Sequence, residues 1–363
     1  MEQSLIPTPD SIPVNWWWFQ ILLSVTFFIH LLLVNLIVGG SLISSWDLIR
    51  KRTFQGTLRK LPVLIALTIN FGIPPLLFVQ VLYGHFFYSS SVMMAVPWIL
   101  VIPILILAYY ASYITVYRVE KMPTMGKIST VISTLLLLYI AFMFVNNSTL
   151  AINPSEWKTY FTNAGGTMLN LGDPTLFPRY LHFVNGTLAV AGLALALYFQ
   201  YDKKTPARER MKLKRRGLRI FRFATILQII IGVIFLFTLP KNINRLFLGG
   251  NWIYTTLLIL GVIIALVTIY LSVQYCVRLF KQETKVNIWN IGGLILLLIA
   301  LMIGIRELVR QAYLGNVFHP SALELKGQTT PLIAFLVIFI TGLGLIYFMI
   351  RLGFSSKRTS LNS

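Results

Sequence analysis

Apolar stretches of about 20 residues alternate along the chain with short polar or basic segments. Runs of that length match the hydrocarbon core of a bilayer when they form α-helices. The pattern predicts nine helices, near residues 16–45, 60–88, 93–117, 127–150, 177–200, 219–239, 252–276, 286–313 and 331–353. The predicted fold class is all-α, a polytopic membrane helical bundle with about nine transmembrane helices.

The chain is expected to form a single integral membrane domain over residues 1–363. Residues 1–150 hold helices one to four, residues 177–353 hold helices five to nine, and residues 354–363 form a cytoplasmic tail. The longest predicted connection, residues 151–176, lies outside and is rich in Asn, Gly, Pro and aromatic residues. A short interfacial helix is expected in it, around Trp157 to Phe161.

The basic residues give the bundle a direction. Of 31 Lys and Arg, 24 lie in the connections after helices one, three, five and seven or in the C-terminal tail. The other side holds the remaining seven: Lys158, Arg179, Lys241, Arg245, Arg306, Arg310 and Lys326. Because positively charged loops stay in the cytoplasm, we expect an outer N-terminus, a cytoplasmic C-terminus and a multi-pass location in the cell inner (cytoplasmic) membrane. Trp16, Trp17 and Trp18 then form an outer interfacial anchor.

Composition supports the membrane class and argues against a soluble domain, a nucleic-acid-binding protein and a disulfide-bonded protein. Hydrophobic residues make up 56% of the chain and charged residues only 12%, about half the charged fraction of a soluble domain. The net charge is +20, and the longest basic run, Lys203–Arg222, holds ten Lys and Arg between two apolar segments. A basic juxtamembrane loop there favours anionic lipid, so no nucleic-acid binding is expected. The one cysteine, Cys276, excludes an intrachain disulfide and a Cys–Cys metal site.

Four histidines are the first chemical candidates, because polar residues inside a membrane are costly and commonly functional. His30 lies deep in helix one, His85 at the outer end of helix two, His182 in the first outer turns of helix five, and His319 in an outer loop. A histidine at a helix end also caps carbonyl groups or lies at the interface, which is the ordinary alternative. Three histidines on separate helices nevertheless suggest haem b, whose iron takes neutral imidazole as an axial ligand.

A second polar group lies at the outer end of helix eight. Arg306 and Arg310 are one turn apart and share a face, with Glu307 beside them. An ordinary interfacial salt bridge is one interpretation. The other makes Glu307 the catalytic candidate, as an axial or near-axial haem group or part of a proton path. The arginines would then neutralise haem propionates, for which their fork geometry is suited.

Prolines in helix two and glycines in helix one are expected to shape the backbone beside these polar residues. Pro74-Pro75 is predicted to interrupt helix two, since proline lacks the backbone N–H of a helical hydrogen bond. Asn70 and Gln80 flank the expected break. Gly39-Gly40 in helix one permits a close helix approach.

The order of these features resembles subunit I of cytochrome bd-type quinol oxidases along most of the chain. The motifs that carry the resemblance are His30 to Gly40, Ile69-Asn70-Phe71-Gly72 with Gly84, Asn146-Asn147 with Asn153-Pro154, Arg179-Tyr180-Leu181-His182 and Glu307-Leu308-Val309-Arg310-Gln311. The resemblance implies that His182 ligates a low-spin haem b. It also implies that His30 and Glu307 serve two high-spin haems where oxygen is reduced, and that Arg310 lies near haem propionates.

Several parts of that family's pattern differ in this chain. Gln80 stands where the family has Glu, and Val101 and Tyr109 stand where it has two glutamates in helix three. Leu257–Ile264 contains no Met to partner the low-spin haem, and Leu239–Asn251 is too short for the quinol-binding loop. We therefore expect fewer haems than three, and hypothesise that His85 replaces the Met in a bis-His haem b.

The leading interpretation is a haem b-binding membrane electron-transfer subunit. It would pass electrons near the outer face, between quinol or a partner subunit and a cytochrome or oxygen. Expected partners are other membrane subunits resembling subunit II, a c-type cytochrome, quinol and lipid. The candidate haem-binding residues are His30, His85, His182, Glu307, Arg306, Arg310 and Gln80. Two alternatives remain: an active terminal oxidase of reduced form, and a haem-free membrane assembly or transport subunit.

Overall fold

The computed structural model of the protein describes residues 5–50, 60–118, 121–281, 286–327 and 329–359. Nine helices follow one another in the positions predicted from hydropathy. They are α1 Trp16–Ile49, α2 Leu61–Met93, α3 Ala95–Arg118, α4 Pro123–Ala151, α5 Leu176–Tyr201, α6 Ala207–Thr238, α7 Trp252–Phe280, α8 Trp289–Leu314 and α9 Thr329–Thr359. This arrangement confirms an all-α membrane bundle.

Eight of these helices, α1 to α8, are long and apolar enough to cross a bilayer. The predicted ninth span is present as α9, but its described apolar part, Thr329–Leu345, is shorter than the others. Nearly every described side chain of α9 is exposed, so this helix adds little to the packed bundle. Eight spans are therefore confirmed, and the protein is a multi-pass membrane protein.

Several helix boundaries differ from the prediction for a common physical reason. Helix α6 begins at Ala207 rather than near residue 219, because its basic first turns are good helix formers although they are too polar for the hydrocarbon core. Helix α9 continues to Thr359, so the tail predicted for 354–363 is partly helical. Residues 360–363 and the loop cations Lys51, Arg52, Arg59 and Lys285 lie outside the described residues.

Contacts between connections sort the described chain into two ends. At one end, here called the outer end, Ile12 pairs with Leu325 as an isolated bridge, and the Trp16 and His319 rings lie 5.3 Å apart. At the opposite end, here called the basic end, Arg216 forms an ion pair with Asp47, which is 1% exposed. Gln200 of α5 also accepts a hydrogen bond from the backbone of Ile288, before α8. The alternation of sides that the sequence predicts is therefore confirmed.

Small residues set the closest helix contacts. A Cβ on Gly39 of α1 would lie 2.0 Å from the backbone oxygen of Thr187 in α5. Gly217 of α6 also packs tightly, since a Cβ there would lie 2.6 Å from the carbonyl oxygen of Gly192 in α5. Gly40, by contrast, faces open space. The predicted close approach is confirmed at Gly39, and α5 lies between α1 and α6 as the central helix.

Helix α2 departs from its predicted form. The backbone stays helical at Pro74 and Pro75, and the break occurs at Tyr83, with φ −132° and ψ 28°. The predicted interruption at the prolines is therefore wrong. Proline's φ suits a helix, and in a membrane protein neighbouring groups can accommodate the missing hydrogen bonds. The break at Tyr83 reorients the outer end of α2.

The long outer connection lies across the outer ends of α2 and α4. It contains a 3₁₀ helix, Pro154–Phe161, which confirms the predicted short interfacial helix. Trp157 within it is 4% exposed and donates a hydrogen bond from Nε1 to the Leu150 carbonyl. Further along, the backbone N–H of Asn170 donates to the side-chain oxygen of Asn146, which is fully buried in α4. The connection is thus fixed to the bundle rather than loose above it.

Candidate functional site

Glu307 lies at the centre of a hydrogen-bonded group in the outer half of the bundle. The Tyr83 hydroxyl donates to Glu307 Oε1 at 2.6 Å, and Arg310 Nη1 donates to Oε2 at 2.9 Å. The Arg310 guanidinium also lies over the Tyr83 ring, 4.5 Å from its centroid. Both carboxylate oxygens are engaged, so Glu307 is held in one orientation by two strong, charge-assisted hydrogen bonds.

The sequence alone does not single out Tyr83 as a functional residue. It is separated from Glu307 by 224 positions and reaches it where α2 departs from helical geometry. Hydropathy cannot reveal that break, because it depends on backbone angles at a single residue. A tyrosine at the same depth as Glu307 was the only available signal.

Three arginines converge beside this group. The charges of Arg179 and Arg310 both act on Arg306, whose guanidinium lies 4.6 Å from the Phe27 ring centroid. The nearby acidic groups are Glu307 and Asp173, so the cluster keeps an excess of one positive charge. In a membrane interior such an excess favours an anionic partner.

Arg179 is the least satisfied of the three arginines. Its Nε and Nη2 atoms are buried and have no hydrogen-bond partner among the described residues. The guanidinium lies 5.2 Å from the ring centroid of Phe235 in α6. Leaving a buried donor unpaired costs about 1–3 kcal/mol, and more for a charged group. These two nitrogens therefore lack an acceptor, which an anionic group would supply.

His182 stands one helical turn after Arg179 on α5 and faces the same side chain of α6. The His182 and Phe235 ring centroids are 6.2 Å apart. Nδ1 of His182 is buried without a partner among the described residues, while Gln228 donates a hydrogen bond to the His182 carbonyl at 2.9 Å. Across from the ring lies Gly232, where a Cβ would come within 3.3 Å of His182 Cε1. One imidazole nitrogen and two guanidinium nitrogens that lack a partner within the described chain thus lie one turn apart on α5.

His30 lies deeper, between α1 and α2. Its Nδ1 is 3.1 Å from the backbone oxygen of Thr68, which favours the tautomer with the proton on Nδ1 and a lone pair on Nε2. Orientation of one ring nitrogen by a backbone carbonyl is typical of metal-ligating histidines. The ring packs against Gly72, where a Cβ would lie 2.8 Å from Cε1. Gly72 therefore makes space for the imidazole. The Phe27 ring lies near both this histidine and Arg306: its centroid is 6.5 Å from that of the His30 ring, and the Arg306 guanidinium lies over the ring at 4.6 Å.

His85 and Gln80 face elsewhere. They line a cavity of about 190 Å³ at the outer end, which residues 7–10 of the N-terminal segment cover. The ring neighbours of His85 are Phe86 and Phe318, at 4.3 Å and 4.4 Å, whereas those of His182 belong to α6. The contacts of the described residues do not join His85 to His182. A bis-His haem between the two stays a prediction.

His319, the remaining histidine, lies in the outer loop as predicted. Its Nδ1 bonds the Ser321 hydroxyl at 2.7 Å, and the side chain is outside the arginine cluster. Among the described stretches of chain, no three His, Cys, Asp or Glu side chains gather as a metal cluster would require. An iron held by a porphyrin needs only one or two protein ligands, so this observation does not bear on haem.

Imidazole nitrogens and arginines are the donor set that haem takes from a protein. The residues that fit it here are His182, His30, Arg179, Arg306 and Arg310. The unpaired Nδ1 of His182 and the unpaired nitrogens of Arg179 support the fit.

Comparison with known proteins adds no assignment. No known protein family, no curated protein and no solved structure matches this chain.

Proposed function

We propose that the protein is a haem b-binding membrane electron-transfer subunit, built on a plan that resembles cytochrome bd oxidase subunit I. The observation that carries the proposal is the pair formed by Arg179 and His182. One turn apart on α5 and both beside Phe235, each holds buried nitrogen atoms without a partner among the described residues. A ligand with a metal centre and carboxylate groups satisfies both at once.

Each protein group has a definite task in this proposal. His182 would ligate the haem iron, and Arg179, Arg306 and Arg310 would hold the propionates. When bound, haem b supplies a one-electron redox centre, whose potential the protein sets through ligation, burial and nearby charge. Positively charged arginines beside the haem would stabilise its reduced, more negative form and so raise its potential.

The first role proposed for Glu307 is to position Arg310. Its two oxygens hold Tyr83 and Arg310 at 2.6 Å and 2.9 Å, which fixes the direction of the Arg310 guanidinium. A catalytic part for Glu307, as in an oxygen-reducing subunit, remains the second candidate function. The buried Tyr83–Glu307 hydrogen bond favours it, because a hydroxyl–carboxylate pair can pass a proton.

The position of these groups supports electron exchange at one end of the bundle. His182, Glu307 and the arginines lie in the outer half of the bundle, and the basic end carries the topogenic charges. We therefore propose exchange near the outer face of the cytoplasmic membrane. The partners would be quinol or a subunit II-like membrane protein on one side and a c-type cytochrome on the other.

Spectra of the purified full chain test the proposal. A Soret band and a reduced-minus-oxidised difference typical of haem b are expected, with the pyridine haemochrome confirming the haem type. His182→Ala should lose a low-spin signal, and Arg179→Gln should lower the haem content. His319→Ala is the matched control, because that histidine is bonded to Ser321 in the outer loop, away from the arginine cluster, and it should keep the wild-type spectrum.

Two results would overturn the proposal. A correctly folded protein without a Soret band supports the haem-free alternative, and an unchanged spectrum in His182→Ala removes the assigned ligand. Oxygen consumption by the purified complex separates the two redox candidates. Sustained turnover that Glu307→Gln abolishes favours the oxidase, and its absence with an intact spectrum favours electron transfer.

A further inference from the structure

The basic run Lys203–Arg222, which the haem proposal does not use, ends in a row of arginines on α6. Arg215, Arg219 and Arg222 follow one another at spacings of four and three residues. At 3.6 residues per turn these positions lie on one face of the helix. Arg219 is exposed and the other two are half-buried. These three cations at the basic end are called the arginine row below.

The arginine row lies beside the neighbouring helix α7. The positive charges of all three arginines act on the Cys276 thiol of α7. That thiol also donates a weak hydrogen bond to the Arg215 carbonyl oxygen at 3.9 Å. The Arg215 guanidinium lies 5.4 Å from the centroid of the Phe280 ring, at the last residue of α7. The three cations therefore gather where α6 and α7 meet at the basic end.

The protein does not neutralise this row within the part of the chain that the structure describes. The ion pairs there involve other cations, and the neighbouring Arg216 is paired with Asp47 of α1. The acidic residue in the first turn of α6, Glu209, lies about 120° around the helix from Arg215. The arginine row therefore keeps three positive charges that an anionic ligand can neutralise.

The surface next to the arginine row indicates the class of that ligand. One and two turns beyond Arg222, on the same side of α6, lie Ile226 and Ile230, which are 42% and 54% exposed. Phe280 beside Arg215 is also exposed. Cations followed by apolar side chains on one helix face match a phospholipid, whose phosphate is anionic and whose acyl chains are apolar. A nucleic acid or a soluble acidic protein would make no use of the apolar part.

We propose that the arginine row binds an anionic phospholipid with a two-phosphate headgroup, whose acyl chains lie along Ile226 and Ile230. At 1.5 Å per residue the row extends about 10 Å along α6, which suits two phosphates better than one. The guanidinium fork is well matched to phosphate oxygens, and basic pockets between membrane helices take headgroups of this kind. The site lies at the end of the bundle opposite to the outer arginine cluster, so it is independent of the haem proposal.

Native mass spectrometry of the delipidated full chain in detergent tests this site. The protein is titrated separately with cardiolipin, phosphatidylglycerol and phosphatidylcholine. We expect cardiolipin to bind most tightly and phosphatidylcholine not to bind at this site. The double variant Arg219→Gln/Arg222→Gln should weaken cardiolipin binding about thirtyfold, because each cation near an anionic headgroup contributes a roughly fivefold gain in affinity. Lys203→Gln/Lys204→Gln is the matched control: it removes the same charge from the same basic run, outside the row, and should bind nearly as the wild type does.

The outcomes distinguish a built site from a diffuse attraction to charge. A selective loss of cardiolipin binding in the arginine double variant supports the proposal, whether or not the protein contains haem. An equal loss in both double variants would overturn it, because the basic run would then act only through its total charge. Equal affinities for cardiolipin and phosphatidylglycerol would overturn the two-phosphate headgroup. If the arginine double variant does not fold, Arg219→Gln decides, because that side chain is exposed; a loss of about fivefold is expected, and unchanged binding would contradict the site.

Discussion

Gly39 in α1 offers a sharp test of the packing that places the candidate site. An added Cβ would lie 2.0 Å from the Thr187 oxygen, 2.6 Å from the Thr187 carbonyl carbon and 2.7 Å from the Ala191 Cβ. Real Cβ contacts essentially never fall below 3.0 Å, so α1 and α5 must separate by about 1 Å in Gly39→Ala. The obstacle is mostly backbone, which cannot rotate away as a side chain can.

The energy of this change can be bounded from general values. Overpacking a tight contact costs about 1–3 kcal/mol, and the upper end applies because helix backbones must move. Alanine returns about 1 kcal/mol through its better helix propensity. Gly39→Ala should therefore lose about 2 kcal/mol of stability. Gly40→Ala, where nothing lies within 4 Å, should be neutral or gain up to about 1 kcal/mol.

Thermal unfolding in detergent, followed by tryptophan fluorescence at one fixed scan rate, compares the two variants. Gly39→Ala should unfold at a clearly lower temperature than the wild type, and Gly40→Ala at the same or a higher one. Equal unfolding temperatures for both variants would refute the close contact between α1 and α5. Because Thr187 follows His182 on α5 by five residues, Gly39→Ala should also perturb the proposed haem spectrum, while Gly40→Ala should not.

Two further predictions concern the Glu307 group and the orientation. Tyr83→Phe removes the 2.6 Å hydrogen bond to Glu307 and should lower the free energy of unfolding by about 1.5–3 kcal/mol, the usual value of a hydrogen bond to a charged group. Tyr88→Phe is the control, because that side chain is 54% exposed and its hydroxyl should matter little for stability. Equal unfolding temperatures for the two variants would contradict the hydrogen bond between Tyr83 and Glu307. In a Cys276→Ala background, Lys158→Cys should react with an impermeant maleimide in intact cells and Lys203→Cys only after permeabilisation; the reverse pattern would invert the orientation.

Much of the candidate site could be named in advance, but not its connections. His182, Arg306, Glu307 and Arg310 stood out because polar residues are rare in apolar helices. In the sequence, Arg179 is noted only as one of seven outer cations and as part of a motif, although its unpaired nitrogens are the strongest sign of an anion site. Whether a polar side chain has a hydrogen-bond partner depends on distances between helices. The periodicity of residues along one helix does not predict those distances.

The histidines show the same division. The sequence placed His85 and His182 at similar depths, which made a shared haem an attractive hypothesis. Depth is set by position along a helix, whereas the direction of a side chain depends on rotation about the helix axis and on neighbouring elements. The break at Tyr83 and the N-terminal segment together give His85 a cavity with Asp10, while His182 faces α6.

The sequence by itself determined the membrane class, the positions of the helices and the alternation of the two ends. Each of these follows from the cost of taking polar and charged groups into hydrocarbon, which is local and adds up along the chain. Only the tertiary structure decided which polar side chains meet, where α2 bends, and which glycine, Gly39 or Gly40, bears the contact with α5. Those outcomes depend on how helices far apart in sequence rotate and pack against one another, since partners such as Tyr83 and Glu307 lie on different helices.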